Sequence, residues 1–401
     1  MLQLAEAADG FLARVRLPGG LLSGDQLAAL ARLADNLGDG RVTLTSRGNV
    51  QLRGLAADAA DMLTGELTET GLLPSLTHDQ VRNVLASPLA GLDGGPDLTE
   101  IVRGLDAALC ARPRLAELPG RFLFAIDDGR GDVAGLGADV VATMRPGGAE
   151  VNGLAVRADP RADLPDIDIL TGTAGHGVPG GLRDAIVAAM LACAEAFLDL
   201  RAEAESTAWR IADLADGPGR VQAAAAARLG LGTARQESAV AAAARPVGLI
   251  TWRRARDDAE SPPYVPDNSG SSAVLIAALG RLTSAQLTWV AEQISARHAR
   301  ITPWRSIVLP GLSDATGVLR AAAGLGFGVD DASPWLRVTA CAGRPGCASA
   351  LADVQADAGA FAARWPGRLV HVSGCARHCG RPAATEIDVT ATSEGYHVAG
   401  V

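Results

Sequence analysis

Lysine is absent from the sequence, so all 36 basic residues are arginine. Without lysine the chain cannot form a Schiff base with a carbonyl substrate, nor can it hold nucleotide phosphates through a P-loop lysine. Arginine stays charged at physiological pH, and its planar fork pairs well with carboxylates. A polyanionic ligand of this protein would therefore be held by arginines.

Aromatic residues and long apolar runs are also scarce. Aromatic residues make up 3% of the chain, and no apolar stretch approaches the roughly 20 residues of a transmembrane helix. The first residues, MLQLAEAADG, lack the basic and apolar regions of a signal peptide. A net charge of −9 argues against nucleic acid as a partner. We therefore expect a cytoplasmic protein without a membrane or nucleic-acid partner.

The chain is long enough for more than one hydrophobic core. It has 401 residues, of which 48% are hydrophobic, and this length predicts two or three domains. Strand pairs mixed with helices favour an α+β architecture over a doubly wound one. The Pro- and Ser-rich segment 256–272 is the best candidate for a linker or an exposed loop.

The sequence contains an internal repeat, because residues 21–55 resemble residues 281–312. Each copy predicts a Ser or Thr N-cap, an amphipathic helix, a strand, an arginine-bearing turn and a second strand. A strand-like stretch precedes each copy, at residues 11–17 and 272–279. The alignment matches Gln26 and Leu27 with Gln286 and Leu287, Arg41, Val42 and Thr43 with Arg300, Ile301 and Thr302, and Gly54 and Leu55 with Gly311 and Leu312.

A weaker similarity follows each copy, where residues 81–91 resemble residues 336–346 and Ser87 falls opposite Cys341. The chain therefore resembles a duplicated unit, a half-domain plus a larger domain used twice. Cysteines lie close together in the second copy alone. This asymmetry predicts a cofactor in one half.

Four of the six cysteines lie in a window of 39 residues. Their pattern is C-x5-C, 27 intervening residues and C-x3-C, formed by Cys341, Cys347, Cys375 and Cys379. Four thiolates from two loops suit either tetrahedral zinc or a 4Fe–4S cluster, although the x5 gap is longer than structural zinc sites usually have. The alternative is that they are buried free thiols, an interpretation that we prefer for the isolated Cys110 and Cys193.

The segment after Cys347 is predicted to be a helix whose amino end directs N–H groups at the cluster sulfurs. Residues 368–374 are predicted to form a strand that delivers Cys375 on a glycine turn.

This cysteine pattern, together with the RVTLTSRGNVQLRG segment, resembles the sirohaem-dependent nitrite and sulfite reductase superfamily over nearly the whole chain. The resemblance implies duplicated ferredoxin-like half-domains and two larger α/β domains in a pseudo-twofold arrangement. In those reductases the last cysteine of the pattern binds the cluster and also bridges it to the sirohaem iron. The resemblance implies that this cysteine corresponds to Cys379 here. The implied domains are residues 1–72 and 241–325 for the half-domains, 73–240 for a larger domain without cluster ligands, and 326–401 for the 4Fe–4S domain.

Within the superfamily the chain most resembles the precorrin-3B synthase family, because SGCARHCGRPAATEIDV and RNVLASPLAGLDG depart from the reductase patterns. The resemblance implies a monooxygenase of aerobic cobalamin (vitamin B12) biosynthesis. This oxidoreductase hydroxylates the tetrapyrrole precorrin-3A with O2 and forms a lactone. Electrons would come from an external donor, either NADH through a reductase or a ferredoxin.

The family's tetrapyrrole-binding positions correspond here to Arg47, Arg82 and Arg121, which would hold ligand carboxylates. Leu123 stands where the reductases have a second cation, and this departure weakens the analogy with sirohaem binding. Arg53 lies six residues after Arg47, a spacing that predicts one face of a shared strand. Arg305, from the second copy, would close the cleft from the other side.

Two further functions stay open from the sequence. The first is a sirohaem-dependent sulfite or nitrite reductase, and the second is a zinc-stabilised tetrapyrrole carrier without catalysis. The six histidines form no metal-binding motif, so the sequence identifies no catalytic residue and no oxygen-activating centre. The sequence therefore leaves open whether the protein binds a further iron or a sirohaem beside the cluster.

Overall fold

A computed structural model of the chain describes residues 2–146, 148–156, 180–230, 247–250, 271–294 and 297–400. These residues form an α+β structure with three sheets of five strands and one of four. Residues 256–270 of the predicted linker and the predicted boundary at residue 240 lie outside the described residues. None of the described helices combines the length and apolar character that crossing a membrane requires.

The first half-domain contains strands β1 (Ala5–Ala7), β2 (Gly10–Val15), β3 (Leu21–Leu22), β4 (Arg41–Leu44) and β5 (Val50–Leu55), and helices α1 (Gly24–Leu37) and α2 (Ala60–Glu69). The predicted N-cap of α1 is confirmed. Ser23 Oγ accepts the N–H of Gln26 at 3.2 Å, and Gln26 Oε1 accepts the N–H of Ser23 at 3.0 Å. The apolar face of α1, which includes Leu27 and Leu30, is buried against β4 and β5.

The first larger domain contains β6 (Val84–Ala86), α3 (Thr99–Cys110), β7 (Phe124–Asp127), β8 (Val140–Arg145), β9 (Gly148–Val151), β10 (Leu154–Val156), α4 (Gly180–Glu203) and α5 (Gly217–Leu229). Strands β6, β7 and β8 run parallel, and β9 and β10 complete the sheet antiparallel. The core packs around the rings of Phe122, Phe124 and Phe197. Cys193 is fully buried in this core and Cys110 packs at its edge, which confirms the core positions predicted for both.

The second half-domain contains β11 (Gly248–Ile250), β12 (Ser271–Ile276), β13 (Arg281–Thr283), α6 (Ser284–Glu292), β14 (Ala299–Ile301), β15 (Ser306–Leu312) and α7 (Ala315–Gly324). Thr283 and Gln286 form a capping box at α6 equivalent to the one at α1. This confirms the helix start that the repeat predicted.

The last domain contains β16 (Val338–Ala340), α8 (Val354–Arg364), β17 (Val370–Ser373), β18 (Ile387–Thr392) and β19 (Gly395–Ala399). Strands β16, β17 and β18 run parallel and β19 is antiparallel. The first larger domain has the same order of parallel and antiparallel strands, so the duplication extends to the larger domains. One face of this sheet, including Val338, Val370 and Val372, packs around α8.

The short strands before α1 and α6 cross between the two half-domains. Strand β3 pairs with β14, with Leu22 opposite Ala299, and β13 pairs with β4, with Leu282 opposite Val42. The strand orders are therefore β1-β2-β5-β4-β13 and β11-β12-β15-β14-β3. Helices α1 and α6 pack together, and one hydrophobic core serves both half-domains. The two copies form a pseudo-twofold unit in which each completes the other's sheet.

The structure corrects one part of the repeat alignment. Residues 45–49 and 302–306 form equivalent turns, because in each turn the first N–H donates to the last carbonyl at 2.9 Å. Arg300 therefore corresponds to Thr43, and the predicted match with Arg41 was wrong by two residues. A shift of two preserves the alternation of side chains along a strand, so the hydrophobic pattern cannot detect it.

Candidate functional site

A cavity of about 550 Å³ lies where the first half-domain meets the first larger domain. Four arginines line it: Arg14 of β2, Arg16 just beyond that strand, Arg47 of the turn between β4 and β5, and Arg121 before β7. Among the described residues, no carboxylate forms an ion pair with any of the four. The cavity therefore concentrates positive charge, which the carboxylate of Asp79 in its lining compensates only in part.

Buried asparagines hold the segments that carry these arginines. Asn49 accepts the N–H of Leu17 at 2.8 Å and donates to the side chain of Asn83 at 3.3 Å. Asn83 in turn donates to the carbonyl of Gly120 at 3.1 Å, next to Arg121. Both asparagines are almost fully buried. Because a buried amide needs such partners, this network fixes the relative positions of three cavity segments.

Burial of the charged cavity arginines costs free energy in the protein without a ligand. It lowers the pKa of Arg16 to about 10, although the nearby carboxylate of Asp79 opposes the shift. The Nε atom of Arg16 is buried without a hydrogen-bond partner. Burial also lowers the pKa of Arg47, and the charges of Arg210 and Arg121 add to this effect. An anionic ligand would relieve all of these costs, so the cavity is suited to several carboxylates.

Trp209 adds an apolar surface at the edge of the cavity. Its side chain is 54% exposed, and the guanidinium of Arg121 lies 5.5 Å from the ring centroid. The backbone N–H of Trp209 donates to the carboxylate of Asp213 at 3.0 Å, which fixes the loop. An exposed indole beside arginines suits a ligand with both a conjugated face and acidic side chains.

Two of the predicted arginines, Arg47 and Arg121, line the cavity. Sequence reasoning missed Arg14 and Arg16. Their spacing of two residues in a predicted strand places both on one face, and this signal could have found them. Arg82 does not line the cavity. Its guanidinium donates twice to the carboxylate of Asp106, at 2.7 Å each, and once to a backbone carbonyl at 3.0 Å.

Arg53 does not share a strand with Arg47, and that prediction was wrong. Strand β5 begins at Val50, so Arg47 belongs to the preceding turn, in which the alternation of a strand does not apply. The guanidinium of Arg53 binds the carboxylate of Asp9 at 2.8 and 3.0 Å, and it donates to the carbonyl of Gly346 at 2.9 Å. Arg53 therefore contacts the cysteine-bearing loop.

Arg305 lies outside the cavity lining, in the equivalent turn of the second copy. Its backbone is left-handed, with φ of 60°, and its aliphatic part fills the space above Gly280, where an added Cβ would lie 2.6 Å from Arg305 Cδ. Burial lowers the pKa of Arg305. Arg305 acts electrostatically on His371 of β17. Burial lowers the pKa of His371 to about 4, and the charge of Arg305 contributes to this shift.

The loops with the cysteines meet at the carboxyl ends of β16 and β17. Cys341 follows β16 directly and donates its N–H to the carbonyl of Val372 at 3.1 Å. Its Sγ accepts the N–H of Gly374 at 3.1 Å. The carbonyl of Gly374 accepts the N–H of Leu351 at 2.8 Å, which joins the loop after Cys347 to the strand end. The predicted strand and glycine turn before Cys375 are thus confirmed.

Cys375 and Cys379 belong to one tight loop, which the hydrogen bond from the N–H of His378 to the carbonyl of Cys375 closes at 3.3 Å. Cys379 is exposed, whereas Cys341, Cys347 and Cys375 are partly buried.

The four cysteines supply the thiolate donors that a metal cluster bound through sulfur requires. The bond from Gly374 to Cys341 Sγ is of the N–H···S kind that stabilises thiolates. A side chain at Gly374 would place its Cβ 2.7 Å from that of Ala350, so the loops leave room only for glycine. Within the described part of the chain, the N–H groups of Ala342 and Cys347 have no protein acceptor and are available to a ligand.

The helix predicted directly after Cys347 begins later than expected. Helix α8 starts at Val354, with the side chain of Asp353 accepting the N–H of Ala356 at 3.1 Å. Residues 348–352 form turns instead, because a carboxylate at 353 is a stronger start signal than the alanines before it. The amino end of α8 is therefore not adjacent to Cys347 in sequence.

Residues 4–70 match the nitrite/sulfite reductase ferredoxin-like half domain. The chain is therefore similar to nitrite and sulfite reductases in this half domain. It is 27% identical to a precorrin-3B synthase of Sinorhizobium sp. over 98% of this chain and 79% of that protein. A ferredoxin–nitrite reductase of Synechococcus elongatus is 36% identical over 30% of this chain and 25% of the relative. The NirA protein of Mycobacterium tuberculosis has the same fold, with a TM-score of 0.71 and 18% identity over 97% of this chain and 73% of that chain.

These similarities confirm the predicted family resemblance and the predicted α+β fold with ferredoxin-like half-domains. They also make the chain a homologue of oxidoreductases. The similarity to the precorrin-3B synthase spans the chain, whereas the similarity to the Synechococcus reductase covers less than a third of it.

Among the described residues of the first larger domain, no group of cysteines corresponds to the cysteine site of the last domain. Ser87 takes the position of Cys341, since its Oγ accepts the N–H of Asp128 at 3.1 Å as Cys341 Sγ accepts that of Gly374. It also donates to Asp132 at 2.5 Å. The alignment of Ser87 with Cys341 is thus confirmed.

Three carboxylates, those of Asp127, Asp128 and Asp132, lie close together in this domain. Asp127 accepts four backbone N–H groups, and Arg130 forms an ion pair with Asp128. These carboxylates therefore have hydrogen-bond and ion-pair partners within the protein. We interpret them as a structural network at the position that the cysteine site has in the last domain.

Proposed function

We propose that this protein is an oxidoreductase of the precorrin-3B synthase type, which adds one oxygen atom of O2 to precorrin-3A and forms a lactone. The observation that carries this proposal is the similarity over 98% of the chain to a precorrin-3B synthase. The reductase of Synechococcus matches 30% of it. The substrate is rich in carboxylates and conjugated double bonds, and the lining of the arginine cavity suits both.

In this proposal Arg14, Arg16, Arg47 and Arg121 bind acetate and propionate side chains of the macrocycle, and Trp209 contacts its face. Arg82, which binds Asp106 outside the cavity lining, takes no carboxylate of the macrocycle in this proposal. Leu123, at the position of a reductase cation, is 4% exposed and packs among Leu85, Ala125 and Val133. This position therefore offers a carboxylate no partner, which favours a ligand set different from that of the reductases.

We further propose that Cys341, Cys347, Cys375 and Cys379 hold a 4Fe–4S cluster. When bound, the cluster would supply single electrons from an external donor, either NADH through a reductase or a ferredoxin. Gln51 lines the arginine cavity and Arg53 contacts the cysteine loop from the same strand, two residues away. Their spacing places both on one face of the first sheet, which supports a redox group next to the substrate.

The overall reaction balances with one O2 and two electrons. One oxygen atom enters the product as a hydroxyl group, and the other leaves as water after taking up two protons. The added oxygen bonds to one carbon of a double bond of the macrocycle and a ring acetate bonds to the other, so the π bond breaks, the added oxygen takes up a proton as the hydroxyl group and the lactone closes. The arginines of the cavity would keep this acetate ionised and therefore nucleophilic.

Anaerobic reconstitution followed by incubation with precorrin-3A, a reductant and ¹⁸O2 tests the proposal. We expect a product heavier than the substrate by one labelled oxygen atom, and unchanged substrate when O2 is withheld. Unchanged substrate in the complete reaction, with a full cluster present, would contradict the proposal.

A sirohaem-dependent sulfite or nitrite reductase is the second candidate, favoured by the match of residues 4–70 to the reductase half domain. Purified protein with strong sirohaem absorption bands and viologen-dependent reduction of sulfite or nitrite would support it. Metal analysis addresses the zinc-stabilised carrier, since about one zinc without iron or sulfide would contradict both enzymes.

A further inference from the structure

We infer that Arg53 and Arg281, two arginines of the first sheet, position the loop from Cys341 to Cys347 and thereby set the reduction potential of the cluster. The inference rests on the cluster in the proposed function but not on the identity of the substrate. Both arginines act through the protein backbone and are positioning residues.

Arg53 reaches the loop at the residue before Cys347. Its Nη2 donates to the carbonyl of Gly346 at 2.9 Å and also to Asp9 Oδ1 at 2.8 Å. Asp9 belongs to the turn between β1 and β2 and fixes the direction of the guanidinium. A Cβ at Gly346 would lie 2.9 Å from Arg53 Nη2, so the contact requires glycine there.

Arg281 reaches the other end of the loop through Gln355. Arg281 Nη1 donates to Gln355 Oε1, and Gln355 Nε2 donates to the carbonyl of Cys341 at 3.1 Å. Arg281 belongs to β13, the strand that the second copy contributes to the first sheet. Gln355 lies in the first turn of α8. The loop is therefore held at both ends by the same sheet.

Holding a carbonyl also orients the next N–H group. In a trans peptide the carbonyl and the following N–H point in opposite directions. The contact of Arg53 with Gly346 therefore directs the N–H of Cys347 away from Arg53, and the contact of Gln355 with Cys341 directs the N–H of Ala342 away from Gln355. Neither N–H has a protein acceptor among the described residues. Both are available as N–H···S donors, which raise cluster potentials.

The two arginines act through these hydrogen bonds and not through net charge, because each is paired with a carboxylate. Arg53 binds Asp9 at 2.8 Å, and Arg281 binds Asp39 at 3.3 Å.

The test is a spectroelectrochemical titration of the reconstituted full-length protein with Gln355→Met and, separately, Arg53→Met. Each change removes one contact and leaves all four thiols in place. We expect the reduction equilibrium to shift at least tenfold towards the oxidised cluster, which for one electron is about 59 mV more negative. Gln293→Met, which removes a contact with the carbonyl of Trp289 in α6, is the matched control and should leave the potential unchanged.

Iron and sulfide content is measured first. Unchanged potentials in both variants with full cluster content would overturn the inference and leave the proposed function intact. Parent protein that binds zinc without iron or sulfide would overturn the proposed cluster and the inference together. If Arg53→Met fails to fold because Asp9 loses its partner, Gln355→Met decides the result alone, since its helix position accepts methionine readily.

Discussion

Arg16 links the stability of the free protein to ligand binding. Its Nε is buried without a partner, and burial lowers its pKa to about 10. A buried cation of this kind costs free energy until an anion reaches it. Stability and affinity should therefore respond in opposite ways when this side chain is removed.

Arg16→Ala should weaken tetrapyrrole binding about 10- to 150-fold, since a charged hydrogen bond is worth about 1.5–3 kcal/mol. The free energy of unfolding of the free protein should stay the same or rise. Equilibrium binding and urea unfolding measure the two quantities. Arg32→Ala, on the exposed face of α1, is the control. A loss of stability in Arg16→Ala would instead indicate a structural residue.

Cys375 tests the proposed ligand set. Cys375→Ala should lose iron and acid-labile sulfide, because a cluster needs all of its thiolates. Cys110→Ala, which changes a partly buried cysteine outside the pattern, should keep the full content. Chemical analysis after anaerobic reconstitution measures both. Full iron content in Cys375→Ala would show that this residue is not a ligand.

The exchanged strands β3 and β13 tie the half-domains into one folding unit. Leu22 and Leu282 are both fully buried and belong to the single core that the half-domains share. A substitution in one of these strands should therefore destabilise both half-domains. If the half-domains folded independently, it would destabilise only one of them.

Leu282→Ala should lower the free energy of unfolding by about 2–5 kcal/mol because it leaves a cavity in this core. Amide hydrogen exchange should accelerate in both α1 and α6. Met62→Ala, at a side chain that is 62% exposed, should change stability by no more than about 0.5 kcal/mol. Faster exchange confined to α6 would contradict the shared core.

The sequence predicts the elements of the half-domains well but not how they exchange. The capping residues Ser23 and Thr283 locate both helices, because a cap acts within its own helix. The pairing of β13 with β4 depends on a partner more than two hundred residues away, and local alternation does not encode this choice. The late start of α8 was missed because the alanines before Asp353 have high helix propensity in any context.

The sequence likewise predicts one part of the candidate site and misses another. Spacing identifies the four cysteines as a set, since ligands of one metal group recur at short intervals. Three-dimensional packing decides which arginines face the cavity. Arg82 and Asp106 lie 24 residues apart, and nothing local predicts that they form an ion pair. Arg14 and Arg16 were missed because the sequence identified their strand only through the repeat and gave no local sign that its arginines face a cavity.

In the molecule as a whole, the free energy of unfolding should depend on pH through two buried groups with opposite effects, one in each larger domain. Burial raises the pKa of Asp132 to about 6, and repulsion from Asp127 and Asp128 adds to the shift. The folded state therefore binds a proton that the unfolded state has already lost, so this group destabilises the fold as pH rises from about 4 to about 6. His371, with its pKa lowered to about 4, acts in the opposite direction over nearly the same range.

Asp132→Asn should gain stability relative to the parent protein as pH rises from 4 to 6, because the amide keeps an acceptor for Ser87 and cannot ionise. Urea unfolding at pH 4, 5, 6 and 7 gives the difference at each pH, and the effect of His371 cancels in the comparison. A difference that does not change with pH would show that Asp132 titrates normally.

The exchange of strands also has a consequence for protein synthesis. Strand β4 receives its second neighbour only when residues 281–283 have left the ribosome. At roughly 5–20 residues per second, the chain between β5 and β13 takes on the order of 10–50 s to emerge. During this interval the nascent first sheet presents an open edge, which neighbouring chains on the same messenger RNA can join. The speed of translation through the middle of the gene should therefore govern how much of the protein escapes co-translational aggregation.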